Sequence, residues 1–206
     1  MRITAEEKTA TRERIIRTAA KLFSRKGYEN ATTRDIAARA GIAAGTLFNY
    51  FESKEAIVAA LISDALARAQ EELSEGGNQT LEEELFTLIW TELCALEAYR
   101  NFLAQAAETI LSPLRRYSRE SAGDEIRTNH LETVEQILVR HGIAAPKPVT
   151  MQLYWTLYLG VFAYWATDDS PKQEDSMALL DQSLKLFIGA LQPGARRTKR
   201  HEKQSE

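Results

Sequence analysis

The sequence predicts an all-α protein, an N-terminal three-helix unit of helix-turn-helix type followed by a longer helical bundle. Three observations lead there. Apolar residues recur at helical spacing in one segment after another. No stretch alternates apolar and polar residues with a period of two. Only 5 prolines and 10 glycines occur in 206 residues, which favours long helices over a turn-rich β fold.

In the first periodic segment, residues 9–26, one face carries Ile15, Ile16, Ala19, Leu22 and Phe23, while Arg12, Arg14, Arg17 and Lys21 lie away from it. Gly27 ends it, as a glycine after a helix does. Thr32 or Thr33 caps a short second helix with Asp35 in its first turn, and Gly41 closes it. A third short helix runs from Ala44 to about Tyr50. Ser53 caps a fourth, over 54–74, which turns Ile57, Val58, Leu61, Ile62 and Leu66 inward. The stretch EGGNQ at 75–79 is the first clear break. Further helices are expected near 80–98, 99–111, 113–140, 148–166 and 173–191, with Pro113 in a first turn and SAGDE at 121–125 a candidate interruption. The expected division is a three-helix head over 9–66, a second domain over 67–193, and a polar, basic, disordered tail over 194–206.

The net charge of -3 hides an asymmetry. Residues 1–54 carry eleven Lys/Arg against six Asp/Glu, whereas residues 55–193 carry ten against twenty-one. A basic head on an acidic body is the footprint of a protein whose head alone meets a polyanion. The single cysteine, Cys94, excludes an intrachain disulfide framework and fits a reducing, cytoplasmic setting. The charged N-terminal stretch has no apolar run of the secretory type.

Helix, glycine turn and short helix together form a geometry that can place one helix in the major groove. The third helix reads AAGTLFNYF over 43–51. Leu47, with Tyr50 or Phe51, holds it to the first two helices. Ala43, Ala44, Gly45, Thr46, Phe48 and Asn49 are left to face a groove.

At this point residues 9–66 resemble the DNA-binding domain of the TetR (tetracycline repressor-like) family. The resemblance rests on about twenty positions at fixed spacing. They include Ile15–Ile16, Ala19–Ala20, Leu22–Phe23, Gly27–Tyr28, Thr32–Thr33, Ile36–Ala37, Ala40–Gly41–Ile42, Gly45–Thr46–Leu47, Tyr50–Phe51 and Ser53–Lys54–Glu55. It implies that Thr33 bonds a phosphate at the start of the second helix. It gives Arg34 a phosphate or a guanine edge. Thr46, Asn49 and Tyr50 would meet backbone or base edges, and Lys54 a phosphate. For Tyr50, core packing stands beside this reading. The chain departs from the family pattern at three places. Ala43–Ala44 replace a common Ser-Lys pair and Phe48 a tyrosine, while Asn49 replaces a histidine and can pair with adenine. Contacts from alanine methyls to thymine methyls follow, with non-specific affinity resting more on Arg12, Arg14, Arg34 and the termini.

The resemblance also implies that the later helices form a ligand pocket and a dimer interface. Residues 149–166 are apolar on nearly every side, which predicts a helix buried all round. Gln152 and Thr156 interrupt it and no basic flank follows, which argues against a membrane span. One face, with Leu153, Leu157 and Val161, is expected to meet a partner subunit. It would be joined by Met177, Leu180, Leu184, Phe187 and Leu191, whose spacing makes an a/d seam. A four-helix bundle about a two-fold axis would follow, so that two heads read a palindromic operator in double-stranded DNA. Candidate pocket residues are Trp90, Cys94, Phe102, Gln105, Tyr154, Trp155, Tyr158 and Phe162, with Tyr99 and Tyr117 beside them. Each also reads as plain core. Their aromatic content favours a small hydrophobic or aromatic effector. Glu92, Glu97 and Glu108 read as solvated face residues or as partners of a cationic one.

No histidine, cysteine or serine pattern for catalysis or metal binding is found, and neither enzymatic activity nor a cofactor is expected. Cys94, mid-helix among apolar residues, reads as an inert core thiol. The function implied is a homodimeric repressor that its effector releases from DNA. A transcriptional activator, and an interaction protein of the same fold without specific DNA binding, remain the alternatives.

Overall fold

A computed structural model describes residues 4–73, 79–110, 122–143 and 146–191. Every regular element among them is helical. In chain order they are α1 (Ala5–Lys26), α2 (Thr33–Ala40), α3 (Ala44–Phe48), α4 (Lys54–Glu72), α5 (Leu81–Leu96), α6 (Arg100–Ile110), α7 (Ala122–Arg140), α8 (Pro148–Trp165) and α9 (Glu174–Leu191). A 3-10 turn, Glu97–Tyr99, joins α5 to α6, and another, Pro171–Gln173, precedes α9. Pro113, Tyr117, most of EGGNQ and the tail 194–206 lie outside the described residues.

The described residues fall into two compact units. The first is drawn from Met1–Glu72 and Thr91–Asn129, the second from Leu73–Trp90 and His130–Glu206.

In the first unit, α1 begins at Ala5, one turn earlier than its apolar face. Thr4 and Glu7 form a reciprocal capping box there, which starts a helix without any buried side chain. Thr32, not Thr33, caps α2, and Asp35 closes the box. Gly41, at φ +69°, lets the chain leave α2. Its N–H bonds Ala38 O, and Ile42 N–H reaches back to Ala37 O, the paired bonds of a Schellman ending. Ser53 Oγ accepts from Ala56 N–H and starts α4 as expected. Ile15, Phe23, Ile36, Leu47, Ile57 and Val58 form the core beneath α1–α4. Phe102 of α6 packs on Phe23 at 5.3 Å.

In the second unit, α8 and α9 pack along each other. Asp168 in their connecting loop accepts from Ser170 N–H, Ser176 N–H and Ser176 Oγ, which ties the loop to α9. Lys172 and Gln173 both have positive φ, an unfavourable conformation for non-glycine residues. The Gln173 carboxamide accepts from the Trp165 indole at 3.0 Å and helps to hold it. At the other end, Glu84 of α5 meets Arg140 and His141 at the close of α7.

Candidate functional site

The glycine turn delivers a short, narrow helix. Backbone bonds from Tyr50 and Phe51 to Leu47 O extend the helical turn beyond Phe48. Leu47 and Phe51 point into the core, so α3 is held from beneath. Tyr50 is only part-buried, which leaves its ring at the rim of α3. The outward row consists of Ala43, Ala44, Gly45, Phe48 and Asn49, all exposed, with Thr46 half-buried. Phe48 is 52% exposed, high for an unpartnered aromatic ring. Ala43 provides no side-chain cap to α3.

α2, which carries Thr33 and Arg34 in its first turn, packs against α3 in the same unit. Because Thr32 takes the capping duty, the Thr33 hydroxyl is not needed by the helix. Arg34 is exposed and has no ion-pair partner among the described residues. Lys26 forms an ion pair with Asp35 at 3.6 Å, and hydrogen bonds from Thr32, with the Lys26 charge, hold the Asp35 carboxyl below its ordinary range.

Two further cations of the head are committed to partners distant in sequence. Arg12 puts two guanidinium nitrogens on the two oxygens of Asp64, at 2.9 and 3.3 Å, with its carbon 5.8 Å from the centre of the Phe51 ring. Lys54 donates to the Tyr28 carbonyl at 2.8 Å and sits 4.0 Å from the centre of the Tyr28 ring. The Tyr28 hydroxyl in turn donates to Glu55.

The residues named for an effector fall in both units. Cys94 and Gln105, in the first, are exposed, and Phe102 is in its core between Phe23 and Tyr99. The expectation of a core thiol at Cys94 is therefore corrected. It lies on the outward side of α5, and partial desolvation and the Glu97 carboxylate push its pKa up. Glu92, expected on a solvated face, is fully buried and accepts from the Gln70 carboxamide at 2.9 Å. Glu97 is exposed and pairs with Arg100. The side chain of Glu108 lies outside the described residues.

In the second unit Trp90 is half-buried beside Phe86. Tyr154, Trp155, Tyr158 and Phe162 are buried. The first three surround His130, a buried residue that sequence reasoning passed over. Its Nε2 is 3.0 Å from the Tyr154 hydroxyl and its ring 4.2 Å from that of Tyr158. The void beside them, lined by Tyr154, Tyr158, Leu180, Leu184 and Phe187, measures about 10 Å³, room for a single water. These side chains fill their own space.

The apolar seam of α9 also closes inside the chain. Leu180, Leu184 and Phe187 are buried, with Tyr154 and Phe187 at 5.1 Å, and Val161 of α8 is buried with them. Met177, Leu157 and Leu191 are half-buried, and Leu153 is exposed. The exposed apolar side chains are instead Val149 (72%), Leu153 and Tyr164 on α8, and Leu179 and Leu186 (69%) on α9. The expectation that α8 is buried all round is thus met on one face only. Spacing identifies a seam but not which partner fills it.

The family model described as bacterial regulatory proteins, tetR family, matches residues 15–61, and that described as the tetracyclin repressor-like C-terminal domain matches 84–198. The chain belongs to the TetR family. It is 36% identical over 63 residues to the HTH-type transcriptional repressor KstR2 of Mycolicibacterium smegmatis, a match of 31% of each chain. The curated relatives it matches are thus covered over less than half their length. A solved TetR regulator from Nitrosomonas europaea shares the fold with a TM-score of 0.65 at 22% identity, over 86% of this chain and 97% of that one. FadR of Thermus thermophilus, a TetR repressor solved with lauroyl-CoA, superposes with a TM-score of 0.58 at 22% identity, over 86% and 93% of the two chains.

For a TetR-family chain, the sequence left three things unread. They are the Arg12–Asp64 pair, the Lys54–Tyr28–Glu55 cluster and the buried His130. Each joins residues at least 24 positions apart in sequence, or belongs to a core that only folding assembles. The Thr4–Glu7 box had a local signal in T-x-x-E. Among the described residues no cluster of histidine, cysteine or carboxylate could hold a metal, and no helix is long and apolar enough to cross a membrane.

Proposed function

We propose that the protein is a homodimeric DNA-binding transcriptional repressor whose effector releases it from a palindromic operator. One observation carries the reading. The α2–α3 surface exposes Arg34, Ala43, Ala44, Gly45, Phe48 and Asn49, with Thr33, Thr46 and Tyr50 half-exposed among them, a mostly small and polar row whose side chains leave the core to Leu47 and Phe51. Small residues at 43–45 let the backbone approach a duplex closely, and their methyls suit thymine. Arg34 and Asn49 carry the donors for guanine and adenine edges. Thr33 and Arg34 at the helix start suit phosphate.

The exposed apolar faces of α8 and α9 support a dimer. Val149, Leu153, Leu157 and Tyr164 would meet Leu179, Leu186 and Leu191 of a second copy, with Met177 at the edge and Gly160, Gly189 and Ala190 allowing close approach. Val161, Leu180, Leu184 and Phe187 back that face from the interior. The lauroyl-CoA found in FadR suggests a hydrophobic effector, with a long acyl chain as the first probe.

A selection of genomic fragments by the purified protein, followed by salt-dependent gel shift, tests the DNA reading. Binding to a two-fold symmetric site is expected. Arg34→Ala should weaken it by about 1–3 kcal/mol. Lauroyl-CoA and a flat aromatic compound, added separately, should report which class of effector releases the DNA. Failure to enrich any fragment would leave an interaction protein of the same fold.

A further inference from the structure

The resemblance gives Lys54 a phosphate, and charge alone gives Arg12 another. The geometry points elsewhere. We propose that Arg12 and Lys54 are positioning residues, internal tethers that fasten α4 to α1 and its following loop and so hold the intervening recognition segment at a fixed angle. This rests on the reading of the head as a DNA-binding unit.

The atoms argue it as follows. An arginine fork reaches phosphate by presenting paired N–H groups. In Arg12 both terminal nitrogens already meet the two oxygens of Asp64, in the middle of α4. The pair is part-buried, with side chains 40% and 35% exposed, so water screens it and its worth is geometric more than energetic. The guanidinium also lies against Phe51, the residue that anchors the end of the recognition turn. One side chain thus touches α1, the recognition turn and α4. Lys54 opens α4. Its ammonium bonds the Tyr28 carbonyl and rests on the Tyr28 ring, while the Tyr28 hydroxyl donates to Glu55, the next residue of α4.

The consequence is mechanical. Between the two tethers and the Schellman ending of α2 lie residues 43–53, the whole recognition segment. Its helix has only five residues and no side-chain cap, too little to hold its own direction. Its direction depends on α2, against which it packs, and on Leu47 and Phe51 in the core, where Arg12 lies against the Phe51 ring and joins it to α4. A tethered α4 and the reading head then move as one piece, and Arg34 and other uncommitted cations supply the phosphate contacts.

The test compares affinity with its salt dependence. A duplex selected by the protein from a random-sequence pool is titrated from about 50 to about 200 mM salt with wild type, Arg34→Gln, Arg12→Gln, Lys54→Met and the swap R12D/D64R. A lost phosphate contact reduces the salt slope by about one, which is expected of Arg34→Gln. Arg12→Gln and Lys54→Met should lower affinity about 3- to 30-fold with the slope unchanged. The swap should recover most of the Arg12→Gln loss, which no phosphate ligand replaced by aspartate could do. A slope reduced by about one in Arg12→Gln or Lys54→Met, or a swap that binds worse than Arg12→Gln, overturns the proposal. Should wild type select no duplex, the DNA reading itself fails. The tether is then judged without DNA, by a denaturant-unfolding cycle of Arg12→Gln, Asp64→Asn and the double variant. Coupling of about 2- to 5-fold in the unfolding constant supports it, and simple additivity overturns it.

Discussion

The head of the first unit and the α8–α9 pair of the second treat apolar surface in opposite ways. In the head, Leu47 and Phe51 turn inward, and apart from Phe48 the exposed positions of the recognition row are alanine, glycine or polar. Long-range polar links, Arg12 to Asp64 and Lys54 to Tyr28, then join α4 to α1 and to the loop after it. In the α8–α9 pair the interior is completed by rings, with Tyr154, Tyr158 and Phe187 around a void of about 10 Å³. Yet Val149, Leu153, Tyr164, Leu179 and Leu186 remain exposed. A surface of small and polar groups suits a hydrated partner that comes and goes. An apolar surplus on two adjacent helices suits a partner that stays, because burying it removes apolar area from water at about 25 cal/mol per Å².

The largest effect that sharpens this contrast lies on α9, where adjacent residues take opposite roles. Phe187→Ala empties the α8–α9 core and should cost about 3–5 kcal/mol in denaturant unfolding. Leu186→Arg, one position earlier, should leave each chain folded and shift sedimentation from dimer to monomer. A Leu186→Arg chain that stays dimeric would remove the contrast.

Smaller effects come from helix starts in the head. Thr32→Ala removes the cap of α2 and should cost about 1 kcal/mol of stability. Thr33→Ala should stay within about 0.5 kcal/mol in stability and act on DNA affinity instead. Equal losses of stability from both would return Thr33 to a structural role.

The smallest effect is electrostatic and lies in the second unit. Burial pushes the Glu84 carboxyl up, but hydrogen bonds from Arg140 and His141 outweigh it and hold the group below its ordinary 4.5. A carboxyl lowered on folding contributes stability that is present above its unfolded value and is lost as pH falls through the folded one. Unfolding curves of wild type and Glu84→Gln should therefore differ at neutral pH and converge as pH drops below about 4.5. A constant gap down to strongly acid pH would show that the carboxylate is not the cause.

The boundaries of α2, α8 and α9 were legible to within a residue or two, since caps, prolines and glycines act locally. The exposure of the row over 43–50 was equally legible, because a motif at fixed spacing lies within one stretch of chain. Cys94, Glu92 and the α9 seam were not. Mid-helix position predicted a buried thiol and a solvated carboxylate, and folding reversed both, since burial depends on which neighbour arrives. Likewise, the 3-4-3-4 spacing of Met177, Leu180, Leu184, Phe187 and Leu191 demanded a partner, and α8 of the same chain was the nearest.

Helix order, helix ends and the α2–turn–α3 motif were thus settled by residues within about four positions of one another, through caps, periodicity and backbone preference. Only the tertiary structure decided which cations are free and which are tethers. Arg12 and Asp64 are 52 residues apart and Lys54 and Tyr28 are 26 apart. A charge reads the same in a sequence whether it faces water, a phosphate or a buried carbonyl. The partner that folding brings within 3 Å determines which it is.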